Sequence, residues 1–526
     1  MVYRTLLSRR APVSVPRLII VLALAALGGC GGQLQTSASH PDGGLFARVF
    51  GEVSELYLEP VSARKLALSG LARLSRYDRS FGVSDGLGAG ALAVTYDERN
   101  IGYYASPPDG DSRRWGDLVT SLVAEGRRVS PKLAALSPEA AEQEVLHGVT
   151  AALDRYSRYA SPDVAQDQRA ARDGFGGIGV TVDPGDALFR VASVAPHGPA
   201  DRAGIRPEDQ IVSVDGVATS GCLHQDVMHR LRGPIGTQVA VRVLQSGMSQ
   251  PRDLRLSRAF VYEQTVTASR SGGLLVLRVN SFNHNTTKRL AEALAEAQRQ
   301  GQPTGVVLDL RGNPGGLLDQ AVSLADLFLQ SGAIVSATGR HPASHQYFKA
   351  SGHAVAARLP LAVLINGGSA SASEIVAAAL QDAGRAVVIG SSSYGKGTVQ
   401  TVLRLPNNGE LILTWARLLA PSGYALQQHG VVPSVCTANL ADGAAGVVTG
   451  LQQVSAPAGQ PARAALDEAG WAGLRRACPP RRTAPATDIA LAERLLADPA
   501  LYAAALQGGP AAAVAQTAAA PRGALP

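Results

Sequence analysis

Apolar residues near the start of the chain recur at helical spacing. Phe46, Val49, Phe50, Val53 and Leu56 fall on one helix face. That pattern predicts a helical N-terminal region over residues 44–172. Within it, residues 82–116 are rich in Gly, Ser and Asp and read as loop or irregular backbone. Leu74-Ser75-Arg76-Tyr77 and Leu153-Asp154-Arg155-Tyr156 resemble each other, either as a loose repeat or as two ordinary helix ends.

The periodicity changes at Gly174. Short β-like runs follow at 178–182, 189–194, 210–214 and 239–243, separated by Asp215-Gly216 and Gly233-Pro234-Ile235-Gly236. Residues 223–231 between them read as a helix. This predicts a β-rich module over 173–258.

From 259 strand and helix patterns alternate. Residues 274–279 form a strand, and Thr286 is placed to cap a helix that runs to about Gln300, with Gly301 after its end. The apolar run 306–310 predicts a buried strand. A helix at 317–329, a strand at 360–365 and a helix at 374–380 complete a layered α/β domain over 259–440. Residues 441–526 are rich in Ala, Gly and Pro. Within them 488–506 read as helical and the last twenty as disordered.

Composition adds a destination. With 46% hydrophobic and 17% charged residues the chain is globular. The net charge is +7, but Arg4, Arg9, Arg10 and Arg17 precede the first acidic residue, Asp42, and without them it falls to +3. The basic balance is therefore largely a targeting signal, and no nucleic-acid partner is indicated. The apolar run 18–27 is too short to span a bilayer and fits a signal-peptide core. It ends in Leu27-Gly28-Gly29-Cys30, which resembles the lipobox of bacterial lipoproteins, where the Cys is acylated and becomes the new N-terminus. An ordinary cleaved signal with an incidental Cys is the other reading. The lipoprotein reading gives a signal peptide at 1–29, a polar tether at 30–43 and a membrane anchor at Cys30. It places the protein in the cell envelope facing the periplasm, with Gly31 favouring the outer over the inner membrane. Cys222, Cys436 and Cys478 have no metal-type spacing, and Cys436 with Cys478 is the preferred disulfide pair.

Two segments carry candidate chemistry. The run Asn366-Gly367-Gly368-Ser369-Ala370-Ser371-Ala372-Ser373-Glu374 joins a buried strand to a helix. A hydroxyl at a helix start meets exposed N–H groups that favour a developing oxyanion, although Ser also commonly caps helices. In the second segment, Tyr394-Gly395-Lys396-Gly397, a lysine sits between two glycines. A lysine base must lose its proton near neutral pH, which takes about 4 kcal/mol of desolvation against an ordinary value near 10.4. Gly390 to Lys396 nearly matches a phosphate-binding loop. But Gly397 stands where Ser or Thr should hold magnesium, and 398–403 reads as a strand rather than a helix. His341 and His345 flank Pro342 and do not share a helix face, so no metal and no cofactor is expected.

Over residues 145–440 the chain resembles the carboxyl-terminal processing peptidases, or tail-specific proteases. The resemblance rests on Leu153-Asp154-Arg155-Tyr156-Ser157, Gly174-Phe175-Gly176-Gly177-Ile178-Gly179-Val180, Asp309-Leu310-Arg311-Gly312-Asn313-Pro314-Gly315-Gly316, the serine run, Tyr394-Gly395-Lys396-Gly397 and Gly430-Val431-Val432-Pro433. It implies a multidomain α/β protein: a ClpP/crotonase-like α/β serine peptidase core, an inserted β-rich PDZ domain and a helical N-terminal region. It implies a Ser–Lys dyad of Ser371 and Lys396, 25 residues apart, with Gln400 orienting the base. The oxyanion hole falls to the N–H groups of Ala372, Gly315 and Gly316. The PDZ loop Phe175, Gly176, Gly177, Ile178 and Gly179 would bind the C-termini of protein or peptide substrates. An activating adaptor stays open as a further partner. The alternative is a lipid-anchored PDZ-type binding or adaptor protein with a silent peptidase-like core.

Overall fold

The structure is a computed structural model describing residues 44–86, 90–184, 188–454 and 463–507. The signal peptide, the tether, Cys30 and the last nineteen residues lie outside the described residues.

A six-stranded sheet organises the α/β domain. Its order is Val266–Ser271, Leu274–Val279, Gly305–Asp309, Leu361–Ile365, Val387–Gly390 and Val435–Cys436. The first two strands form an antiparallel hairpin, and every later pairing is parallel. Gly305–Asp309 and Leu361–Ile365 are buried throughout, because a parallel sheet has both faces covered. Alternate residues serve the two faces. Val306 and Leu308 pack with helices Thr286–Gln300, Leu318–Asp326 and Ala372–Asp382. Val307, Leu364 and Ile389 pack with Val454, Leu491 and Leu495 on helices Ala444–Val454 and Ala486–Ala497. The Ala-rich C-terminal region is thus the lid of the second face up to Gln507, and its leucines four apart supply the apolar stripe.

A second sheet runs Gln346–Lys349, Ala333–Thr338, Glu410–Leu419, Thr398–Arg404. The short strand Arg158–Ala160 joins it on Glu410–Leu419. Leu403, Leu411 and Leu413 from this sheet, with Leu405 in the turn between its strands, enter the core of the N-terminal helices, beside Phe46, Phe50 and Leu146. Helices Leu45–Leu56, Ala63–Ala72, Ser112–Val129 and Pro138–Ala151 match the helical reading of this region.

Residues 82–116 differ from the expected loop. They contribute to an antiparallel meander, Phe81–Asp85, Ala91–Tyr96 and Arg99–Ala105, and to the first turns of Ser112–Val129. Asp97 and Glu98 form the two-residue turn, with φ of 48° and 63°. Such turns favour Asn-Gly or Asp-Gly, so Asp-Glu carries a weak hairpin signal. Thr286 likewise does not cap its helix. It is the first helical residue, after Asn285, and its hydroxyl accepts from the Asn283 N–H at 2.9 Å.

The β-rich module has its own core, including Val191, Ile211, Val227 and Val241. Its antiparallel sheet runs Arg252–Ser257, Gln238–Leu244, Gln210–Val214, Phe189–Val194, Val180–Pro184, so Val180–Pro184 is an edge strand. Helix His224–Leu231 packs beside it. A ribbon of Phe175–Gly177 with Ala259–Val261 closes the module where the chain enters and leaves. Cys436 and Cys478 form a disulfide, and Cys222 is free.

Because Leu411 is fully buried between the second sheet and the N-terminal helices, Leu411→Ala should cost about 3 kcal/mol. Urea denaturation followed by circular dichroism should show both regions losing stability together.

Candidate active site

Three loops leave the carboxyl ends of neighbouring parallel strands, where α/β sheets place their sites. Residues 310–317 follow Gly305–Asp309, residues 366–371 follow Leu361–Ile365, and residues 391–397 follow Val387–Gly390.

In the middle loop the three serines have different environments. The Ser369 hydroxyl donates to Leu310 O at 2.8 Å and accepts from the Asn366 N–H, and the residue is fully buried. The Ser373 hydroxyl donates to Asn313 O at 3.0 Å and is also fully buried. Ser371 is half-buried and stands between them as the N-cap of Ala372–Asp382. Its φ of 56° is a strained value for a residue with a side chain, costing on the order of 1–3 kcal/mol. Burial and hydrogen bonding therefore single out Ser371 without reference to any family.

Glu374 connects this serine to the lysine loop. Its Oε2 accepts from the Ser371 N–H at 2.7 Å and from the Lys396 N–H at 2.9 Å. Its Oε1 accepts from the Gly395 N–H at 2.6 Å and from the Ser393 hydroxyl. Four donors on two oxygens suit an ionised carboxylate, which is acceptor-only. Burial pushes its pKa up, and those donors oppose the rise. Sequence reasoning missed Glu374, although Ser-x-x-Glu at a helix start is the capping-box pattern. Gly397 shows why the lysine loop is glycine-rich. A Cβ there would lie 1.9 Å from Gln427 N.

The Lys396 side chain is half-buried, with Nζ 5.2 Å from the centre of the Tyr156 ring. Burial lowers its pKa, and the Arg158 charge lowers it further. Glu374 and Asp154 oppose both. The Asp154 to Arg158 stretch thus forms one wall of the lysine's surroundings. Asp154 Oδ1 also accepts from the Thr414 hydroxyl at 3.0 Å. Gln400 lies on strand Thr398–Arg404, where the ladder shifts register between Val399 and Gln400. Its Nε2 donates to Thr398 Oγ1 at 2.9 Å and Thr414 Oγ1 at 3.1 Å, so in this structure it is not bonded to Lys396. Three residues separate Gln400 from Lys396, and the strand begins at the second of them, Thr398.

The remaining loop brings Gly315 against the serine. A Cβ on Gly315, whose φ is 104°, would lie 2.8 Å from Ser371 Cβ and 3.0 Å from Ala372 N. Asn313 ties the loops together: its backbone O accepts from the Ala370 N–H at 2.9 Å and its Oδ1 from the Gly315 N–H at 2.8 Å. Among the described residues the N–H groups of Ala372 and Gly316 have no partner.

In the β-rich module, Phe175, Gly176 and Gly177 belong to the closing ribbon. Ile178 and Gly179 lead into the edge strand, and their N–H groups have no partner among the described residues. His224 Nε2 lies 2.9 Å from Val182 O on that edge. Among the described residues no cluster of His, Cys, Asp or Glu has the arrangement of a metal site.

Comparison with known proteins agrees with this architecture. The profile of Peptidase family S41 matches residues 273–436, and that of the PDZ domain matches residues 190–245. The carboxy-terminal-processing protease of Bartonella bacilliformis is 40% identical over 298 residues, 56% of this chain and 68% of that protein. The carboxyl-terminal-processing protease of Synechocystis sp. is 35% identical over 262 residues, 49% of this chain and 61% of that protein. Carboxy-terminal processing protease CtpA of Bacillus subtilis is 33% identical over 284 residues, covering 54% and 60%. The chain thus spans about two thirds of the curated relatives' length. It belongs to peptidase family S41, with the carboxy-terminal processing proteases. It is a serine peptidase that carries a PDZ module, and its fold is that of the family.

Glu374→Gln keeps the size of the side chain but turns an NH2 group towards buried donors. It should destabilise the protein by about 3 kcal/mol, read as a lowered midpoint in thermal or chemical denaturation.

Proposed function

We propose that the protein is a lipid-anchored serine endopeptidase of the cell envelope that acts on proteins entered from their C-terminal ends, with Ser371 as nucleophile and Lys396 as general base. The observation that carries this reading is the single Glu374 oxygen that accepts from the backbone N–H groups of both residues. It fixes the two loops to each other beside a lysine whose burial favours the neutral amine.

Neutral Lys396 takes the Ser371 hydroxyl proton as Oγ attacks the peptide carbonyl carbon. The N–H groups of Ala372 and Gly316, free of other partners among the described residues, receive the oxyanion. The Gly315 N–H is already held by Asn313, so Gly315 contributes by leaving room beside Ser371. The ammonium of Lys396 then protonates the leaving amine. Water, activated by the same lysine, hydrolyses the acyl-enzyme. Gln400 is the orienting residue in this reading, because its Oε1 has no partner among the described residues and can accept from Lys396.

Substrate C-termini would add to the edge strand Val180–Pro184, with the carboxylate at the N–H groups of Ile178 and Gly179. The Cys436–Cys478 disulfide supports an exported, oxidising location.

Cleavage of an unfolded polypeptide should fall about 10³-fold or more in Ser371→Ala and in Lys396→Ala. Undiminished cleavage by Ser371→Ala would rule out the assignment. Since the neutral amine is the active form, kcat/KM should rise with pH. It should level off below the ordinary lysine value, because burial lowers the Lys396 pKa. Cys30→Ser should leave cleavage intact and move the protein from the membrane to the soluble fraction of the envelope. Membrane retention would contradict the anchor.

A further inference from the structure

The family match ends at Cys436, yet the chain returns to the site after it. Between helices Glu468–Ala477 and Ala486–Ala497 an extended segment crosses all three catalytic loops in order. At the lysine loop, the Arg475 guanidinium donates to Ser393 O at 3.2 Å and to His429 O at 2.6 Å. Cys478 O accepts from the buried Ser392 hydroxyl at 2.6 Å. Arg481 reaches two loops at once. Its N–H donates to Ser391 Oγ at 3.1 Å, and its O accepts from the Gly367 N–H at 2.6 Å. At the serine loop, Asn366 Nδ2 donates to Thr483 O at 3.0 Å. At the oxyanion loop, Arg311 donates to Pro485 O at 2.8 Å and to Asp488 Oδ2 at 3.0 Å, with both charged groups buried. The disulfide to Cys436 fastens the segment to the edge strand of the central sheet.

We propose that residues 475–488, tethered through Cys436–Cys478, are a positioning strap that holds the nucleophile, base and oxyanion loops in register for the reaction. The inference rests on the Ser371–Lys396 reading above. Most of the contacts are made by backbone atoms of the strap, so its path matters more than its side chains. The disulfide and the Asp488 carboxylate are two places, besides the Arg475 guanidinium, where a substitution can release it. Loss of the strap would let the loops drift apart while leaving the PDZ edge strand, which the segment does not touch, able to take substrate. The strap therefore acts on kcat rather than on KM.

The test measures kcat and KM for an unfolded polypeptide with three proteins. These are wild type before and after full reduction, the Cys436→Ala/Cys478→Ala double variant, and Asp488→Asn, which keeps the disulfide and removes the strap's charge on Arg311 while Asp309 still holds that guanidinium. Assays run at a temperature where circular dichroism shows each protein folded. The expected result is a kcat at least tenfold lower with KM within twofold of wild type in each released form. Reoxidation should restore the reduced wild type and leave the double variant unchanged. Wild-type kcat per folded molecule in both the reduced protein and Asp488→Asn would overturn the proposal, as would a change confined to KM. Ser371→Ala in the same assay separates the two ideas. Full activity there sinks the dyad, whereas a dead Ser371→Ala beside fully active strap variants sinks only the strap.

Discussion

The site depends on one buried carboxylate. Glu374 gathers the Ser371, Gly395 and Lys396 N–H groups and the Ser393 hydroxyl. A fully buried carboxylate is tolerated only when such donors replace water. Those donors come from two loops that share no sequence neighbourhood, so satisfying the charge forces the loops together. The strained φ of Ser371 persists because the backbone on both sides of it is held: Asn313 and the Glu374 carboxylate take the Ala370 and Ser371 N–H groups, and the Glu374 N–H donates to Ser371 O.

The sheet that carries these loops shapes the rest of the chain. A parallel sheet needs apolar cover on both faces. One face is covered from within the residues matched to the peptidase family, the other by helices that follow them. The second sheet, which carries Gln400, completes its own core with the N-terminal helices. The N-terminal helices from Leu45 and the C-terminal helices up to Gln507 are therefore structural parts of the peptidase, not appendages. The C-terminal one also runs back across the loops through Arg475, Arg481 and Asp488.

Composition was a poor guide where local cues had to decide between turn and strand. Residues 82–116 are rich in turn-formers because they punctuate three short strands, and the polar Asp97-Glu98 turn hides the hairpin. In the Ala-rich C-terminal region a few leucines and valines, among them Val454, Leu491 and Leu495, carry the packing on the buried sheet. In the β-rich module the glycine run at 175–179 divides between a closing ribbon and the lead into the edge strand, a division that no residue type announces.

By itself the sequence determined the β-rich character of the module after 174, the strand–helix alternation around 274–380, the strand after Lys396 that excludes a phosphate loop, and the family to which the motifs belong. Those properties are local, written in periodicity and in short runs of residues. It did not determine the strands Val266–Ser271, Ala333–Thr338, Gln346–Lys349 and Glu410–Leu419. Choosing Ser371 on physical grounds needed the burial of Ser369 and Ser373, which depends on contacts with Leu310 and Asn313 some sixty residues away. The place of Glu374, the surroundings of the Ala372 and Gly316 N–H groups and the path of residues 475–488 are likewise long-range facts. They arise where segments distant in sequence compete for the same buried hydrogen bonds, and only the folded chain settles that competition.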